Sequence, residues 1–496
     1  MSVMPPRRSA LLVSTLAAFL LVTALVYSSS DATARRWPGP VWGFGGGNGG
    51  VSQQAEDLAG ADARVLRELK VESPFEYRRV CFDVKPTKGL RRTLLDELPV
   101  ELLPEVGVEM SVDGALPPCD GSINLEVPSF DPWARTDTSH LMLGMATMLK
   151  RVEASLPAMA RWLPNTGTPL LVLLVDQLNL TTSATQIEDV RTHAAELGME
   201  LIFEPYHGNL DDSEGLKNFA LSGALQKNIR EDTEWFGIID DDTFFLSLPA
   251  VVENLAAYDH NKNYYIGALT EAWPRVQKEG FKAWGGAGFF ISPPLMAQLA
   301  DSADACKGLD QGFGDLLWRD CILDITSPPV PLTQMPGLNQ MDIWGDISGW
   351  YESGHAPLLT VHHWKSWHFF DVPLASTVSD VAGHESFLQR YLFDDDVVLT
   401  NGFSIAAYPN GLPDLNRTEL IFAEEVSVSP HYDRMMYHYS LGDTRPAMKL
   451  GVDKLQWTFV HAEREEGRVR QFYLQRRNME VAGSRDSLIE VDWQPR

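Results

Sequence analysis

An α/β fold with an open, mostly parallel sheet and helices on both faces is what this sequence predicts, and three observations carry it. Strand and helix patterns alternate from Ile123 to Ile239. The run Pro169–Val175 is continuously apolar, as in a strand buried on both faces. An acidic triplet follows directly on another apolar run, and in open sheets of this kind ligands gather at the carboxyl ends of strands. With 496 residues, 44% hydrophobic and 22% charged, the chain has enough apolar material for a large domain plus attachments and is not disordered as a whole. Acidic residues outnumber basic ones, 67 to 41, for a net charge of −26. That balance excludes a general nucleic-acid binder, which needs a basic face to displace counterions.

The elements follow in order. Arg7 and Arg8 precede an uncharged stretch, Ser9 to Tyr27, just long enough to span a bilayer as a helix. Residues 1–35 therefore read as a cytoplasmic tail and signal-anchor helix. A cleaved signal peptide ending near Ala32-Thr33-Ala34 is the alternative. Either way the rest of the chain enters the secretory lumen, consistent with sequons at Asn179 and Asn416 and with four cysteines free to pair. Residues 36–118 read as a glycine-rich stem and a mixed segment with one short helix around Val65–Leu69. A third stretch, 119–411, holds the α/β pattern. Ile123–Val127 opens it as a strand. His140–Leu163 follows as a helical stripe kinked at Pro157, and Pro169–Val175 as a strand. Ile187–Leu197 is a helix stopped by Gly198, Met199–Phe203 a strand, Leu216–Gly223 a helix and Trp235–Ile239 a strand. In the last stretch, 412–496, Gln456–Val460 and Val469–Leu474 predict a β-hairpin in a small β-rich extension, covering a sheet edge.

The strand Trp235–Ile239 runs into Asp240-Asp241-Asp242. Adjacent carboxylates at a buried strand end repel one another unless a cation compensates, and hard oxygen ligands suit Mn²⁺ or Mg²⁺ bridging to a diphosphate. A second triplet, Asp394-Asp395-Asp396, lacks the helix–strand context and reads as surface. Further on come Trp284-Gly285-Gly286-Ala287-Gly288 before Phe289-Phe290-Ile291-Ser292, then Asp310 in a glycine-rich bend, then His362-His363 after an apolar run. Glycines in the first of these allow close backbone approach to a ligand, and Trp284 is either a sugar-stacking ring or a core residue.

In this order and spacing the set resembles the fringe-like branch of the family 31 glycosyltransferases, as found in fungi and plants. The likeness covers about Ile123 to Gly411, including Gly402–Pro409. It implies a GT-A nucleotide-diphosphate-sugar fold and metal-dependent, inverting transfer from a UDP-sugar to a glycan or glycoprotein hydroxyl. The product would be a β-linked hexose or N-acetylhexosamine, made by a single-pass type II Golgi membrane protein or a secreted form. By the same likeness Asp242 binds Mn²⁺ (or Mg²⁺) with His362 or His363, and Asp240 and Asp241 lie at the nucleotide. Trp284, Gly285, Gly286, Ala287 and Gly288 border the donor, and Asp310 is the general base. The physics is coherent: a divalent ion offsets charge on a departing diphosphate while one carboxylate takes the acceptor proton.

Two departures bear on the acceptor. Asp310 stands alone where the family has paired acids, and His363-Trp364-Lys365-Ser366-Trp367-His368 is a different tail. Cys306 and Cys321 flank the Asp310 loop and are expected to bridge across it, which leaves Cys81 with Cys119. A catalytically silent lumenal sugar- or metal-binding protein of the same fold is the alternative reading. An Asp-based phosphohydrolase fits poorly, because Asp176-Gln177-Leu178 lacks the second Asp two residues on.

Overall fold

The computed structural model describes residues 62–496 apart from 104–106, 113–115, 120, 129–136, 177–183, 354–357, 422–442, 466 and 480–482. The expected anchor, the glycine-rich stem and the Asn179 sequon lie outside the described residues. Among the described residues no helix is long and apolar enough to cross a membrane. Asn416 is exposed.

A seven-stranded sheet is built in the order Leu332–Gln334, Tyr265–Gly267, Phe289–Ile291, Trp235–Ile238, Leu141–Thr147, Pro169–Leu174 and Glu200–Pro205. All strands run parallel except Phe289–Ile291, which is antiparallel to both neighbours. Its central strands Pro169–Leu174, Trp235–Ile238 and Phe289–Ile291 are apolar and buried at every position because both faces are covered, whereas the edge strands Glu200–Pro205 and Leu332–Gln334 carry polar residues. Leu141, Leu143, Met145, Leu170 and Val172 enter one core, while Met142, Leu171, Leu173, Phe236 and Ile238 enter another under the helices Leu221–Lys227, Pro293–Asp301 and Gly314–Ile325. Each such fully buried Leu, Val or Phe contributes about 1.5–3 kcal/mol.

The predicted helix over His140–Leu163 is corrected: Leu141–Thr147 is a strand and only Leu149–Met159 is helical. In a segment apolar at nearly every position, steps of three and four occur by default and cannot separate a helix from a doubly buried strand. Gly144 settles the matter locally, since a side chain there would press on Leu225 from the covering helix. Ile123–Pro128 is a strand as expected, but it pairs with Phe75–Thr87 and takes no part in the seven-stranded sheet.

Phe75–Thr87 belongs to a second sheet of ten strands. Its order is Asp96–Leu98, Arg390–Phe393, Val397–Thr400, Ser404–Ala407, Leu455–Glu465, Arg468–Gln475, Ser487–Pro495, Phe75–Thr87 and Val108–Met110, with Ile123–Pro128 also on Phe75–Thr87. Strands from 36–118, 119–411 and 412–496 interleave in it, so those boundaries do not divide the fold. The expected C-terminal hairpin forms, Leu455–Glu465 against Arg468–Gln475, yet it lies in the middle of this sheet and covers no edge. Phe82, Tyr391, Ile405, Trp457, Tyr473 and Trp493 share the first core of the seven-stranded sheet, so the two sheets are packed through common apolar contacts. The triplet Asp394–Asp396 is the turn between two of its strands, as its surface reading requires.

On the far face of the ten-stranded sheet, beside the helical residues 62–68, charges are buried in pairs. Arg470 donates to Glu490 (2.8 Å) and to Asp62 (2.6 Å), and Arg470 and Glu490 are fully covered. Arg470→Leu removes this cation and leaves the enclosed Glu490 to Arg79 (3.2 Å) and the Tyr77 hydroxyl (2.6 Å); the expected loss is about 3 kcal/mol in urea unfolding. Both predicted disulfides are present, Cys81–Cys119 and Cys306–Cys321. Cys306 and Cys321 lie 15 residues apart, so replacing both with Ser is expected to lower stability by about 3 kcal/mol, read as a fall in the unfolding midpoint.

Candidate metal and active site

The strand Trp235–Ile238 and the buried Ile239 deliver the acidic triplet to the carboxyl end of the sheet. Beyond it Phe244–Phe245 pairs antiparallel with Thr360–Val361, Val361 opposite Phe244. That register carries the residues after Val361 back alongside 242–243, which is how His362 and His363 reach the triplet across more than a hundred residues. The glycine segment serves as the packing between them. Thr243 Oγ1 donates to the Gly286 carbonyl (2.9 Å) and Thr360 Oγ1 to the Ala287 carbonyl (2.7 Å), while Ala287 N donates to Gln340 (2.9 Å). A side chain on Gly286 would overlap the His362 ring, so glycine is required there for close approach.

Asp242, His362 and His363 each offer one ligand atom, and the three atoms lie within 4.8 Å of one another. His362 Nδ1 donates to the Gln340 carbonyl (3.0 Å), which turns Nε2 toward Asp242 Oδ1 at 2.8 Å. His363 Nε2 donates to Asp342 (3.2 Å), leaving Nδ1 as its ligand atom. Holding the far nitrogen of each imidazole in this way fixes ring orientation as metal sites need. Burial opposes charge on Asp242, but His362, Lys365 and His363 outweigh it and hold the carboxyl below the usual range. Burial likewise opposes charge on His362, and the Asp242 and Asp240 carboxylates overcome it, raising the imidazole to about 9. In His363 desolvation and the charge of His362 prevail over Asp342, so its proton affinity is lowered. One carboxylate and two imidazoles, mutually close and oriented from behind, suit a first-row divalent ion such as Mn²⁺.

The remaining predicted residues divide. Asp240 opens onto the cleft with 44% of its side chain exposed. Desolvation, with repulsion from Asp242, Asp315 and Asp241, raises its carboxyl above the ordinary range against the pull of His362. Asp241 is buried, its oxygens taken up by Thr147 (2.5 Å), Arg151 (2.8 Å) and Lys365 (2.9 Å), which holds the triplet in place. Ala287 and Gly288 are both buried, Ala287 bonded within the protein and Gly288 against Ile239. Trp284 is 5% exposed, with Lys282 Nζ 3.6 Å above its ring, so it is a core ring and not an open sugar platform.

Asp310 accepts from Ser213 Oγ (2.6 Å) and from Gly312 N (3.0 Å), closing a turn, and none of its bonds is to the metal-ligand group. The carboxylate beside that group is Asp315, on the first turn of the helix Gly314–Ile325. Asp315 accepts from Gly285 N (3.1 Å) and Lys282 (3.2 Å). A methyl on Gly285 would stand 2.9 Å from Asp315 and 3.6 Å from Asp240, so the two acids face each other across a bare Cα. Also missed from sequence were Arg151, Lys365, Gln340 and Asp342. A signal for Asp315 existed, because Gly314-Asp315 starts an apolar helical stripe and an acid at that point complements the helix dipole.

The family profile described as Fringe-like matches residues 215–325, and the profile "Protein of unknown function, DUF604" matches 279–403. No curated protein sequence matches the chain significantly. Among solved structures, the mannosyltransferase PcManGT of Pyrobaculum calidifontis with GDP-mannose and Mn²⁺ is 10% identical, covering 42% of this chain and 57% of that one, at a TM-score of 0.28. Mouse xyloside xylosyltransferase 1 is 12% identical, covering 39% and 84%, TM-score 0.26. A glycosyltransferase involved in glycosylation of the major capsid of PBCV-1 is 11% identical, covering 45% and 94%, TM-score 0.25. Superpositions of this quality add no weight. The matched profiles, which together take in the acidic triplet, the glycine segment, Asp315 and both histidines, support a fringe-like glycosyltransferase family for this chain.

Proposed function

We propose that the chain is a metal-dependent, inverting glycosyltransferase of the family 31 fringe-like branch. It moves a hexose or N-acetylhexosamine from a UDP-sugar to a hydroxyl of a glycan or glycoprotein. The observation that carries this reading is the meeting of Asp242, His362 and His363 at the carboxyl end of a doubly buried strand. Bound there, Mn²⁺ or Mg²⁺ would offset the negative charge of a departing diphosphate. The protein's own residues do the rest. Arg151, Thr147 and Lys365 fix the triplet through Asp241, and Gln340 and Asp342 hold the imidazoles from behind. In this reading Asp240 meets the nucleotide and Asp315 takes the acceptor proton. A single base on one side of the sugar gives one displacement and hence inversion, with a β-linked product.

The sequence of residues 1–50 supports an uncleaved type II anchor and stem, and so a Golgi membrane location with the catalytic part in the lumen; secretion after cleavage is the alternative. The test is UDP release by the full-length protein from a panel of UDP-sugars, with Mn²⁺ and with chelator. Release from at least one donor that chelation abolishes is the expected result, and none from any donor would refute the reading.

A further inference from the structure

Beside the metal-ligand group stands a stack of aromatic rings that holding an ion does not require. Trp367 lies against His363, with ring centres 3.7 Å apart and planes 10° apart, and against Trp344 at 3.9 Å and 21°. The turn bearing Trp344 is stiffly held. Asp342, two residues earlier, accepts from Thr270 (2.6 Å) and His363 (3.2 Å) and pairs with Arg275 (3.2 Å), and the Ile343 carbonyl accepts from His368 (2.8 Å). Trp344 itself is nevertheless 39% exposed. A large ring made rigid but left open to water is poor economy for a core and apt for a binding surface.

What covers it can be argued from its surroundings. Gly345, Asp346 and Ser366 are exposed around the ring, and the Arg275 guanidinium stands 5.9 Å from Trp367. A lipid or an apolar peptide would need a continuous apolar patch, and here the exposed Gly345, Asp346 and Ser366 interrupt the apolar surface that Trp344 and the exposed Phe369 offer. A pyranose ring has the matching character: one face of C–H groups for the indole, and hydroxyls at its edge for the polar rim. His363 belongs to the metal-ligand group and Trp344 lies two rings farther out. His363 is stacked between His362 and Trp367, and Trp367 between His363 and Trp344, so the stack meets a substrate at Trp344, set back from the metal-ligand group on the side left to the second substrate.

We infer that Trp344, backed by Trp367, is the platform on which a pyranose ring of a glycan acceptor stacks. The inference rests on the proposed function, and its test separates the two. Full-length protein is applied to an array of glycans ending in galactose, glucose, N-acetylglucosamine or mannose, and bound glycans are then used as acceptors. Trp344→Ala is expected to abolish array binding. It should also raise acceptor KM on the order of tenfold, with donor KM and acceptor-free UDP release unchanged and Trp344→Phe restoring most of the loss. Unaltered array binding in Trp344→Ala, no glycan bound by the wild type, or a rise in donor KM in place of acceptor KM would each overturn it. If the wild type binds a glycan through Trp344 but releases no UDP from any donor, the platform stands and the transferase reading falls.

Discussion

Asp242→Asn is expected to lower Mn²⁺-dependent UDP release by on the order of 10²-fold or more, with the fold retained. The substitution keeps shape and one oxygen but removes the charge that both neighbouring imidazoles face, His362 at 2.8 Å among them. Losing a supporting residue behind a metal ligand commonly weakens affinity by about 10–100-fold, and losing the anionic ligand itself should exceed that. Mn²⁺ titration of the same variant must show the matching loss of affinity. Undiminished turnover, or lost turnover at unchanged Mn²⁺ affinity, would separate Asp242 from the metal and remove the basis of the proposed chemistry. Asp241→Asn is the informative contrast. Its oxygens are occupied by Arg151, Thr147 and Lys365, so its loss should lower stability as well as turnover.

How much of this was written in the sequence depends on range. Pro169–Leu174 and Trp235–Ile238 are legible because a strand with both faces covered has to be apolar throughout, and the acidic residues after the second mark its end. The ten-stranded sheet is not legible in that way. Phe75–Thr87 pairs with Ser487–Pro495 from the other end of the chain, and alternation reports which face a residue takes but never which strand lies beside it. Its outer face also hides Arg470, Glu490 and Asp492, whose charge reads as surface until their partners are seen. Asp242, His362 and His363 were found because a ligand set keeps its residue types and order. Asp310 is the base that the family resemblance implies, and Asp315, five residues on, is not singled out by sequence because its nearness to Gly285 and Asp240 shows only in the folded chain.

The choice between the two yields the second large prediction. Asp315→Asn is expected to slow sugar transfer by roughly 10²–10⁴-fold while Mn²⁺ affinity and UDP-sugar binding stay near wild type, the range seen when a positioned general base is removed. Asp315 has Gly285 N on one oxygen and Lys282 on the other, contacts that fix the carboxylate and leave lone pairs free toward Asp240 and the cleft. The Asp310 oxygens are engaged by Ser213 and Gly312, so Asp310→Asn should alter the turn and leave the chemical step within a few-fold of wild type, the loss of one turn hydrogen bond amounting to about 1 kcal/mol of stability. Single-turnover rates for the two variants, measured at saturating donor and metal, distinguish the assignments directly. A slow Asp310→Asn beside a normal Asp315→Asn would return the base to the bend. Two normal rates beside intact UDP and Mn²⁺ binding would favour a protein that holds a nucleotide sugar without transferring it.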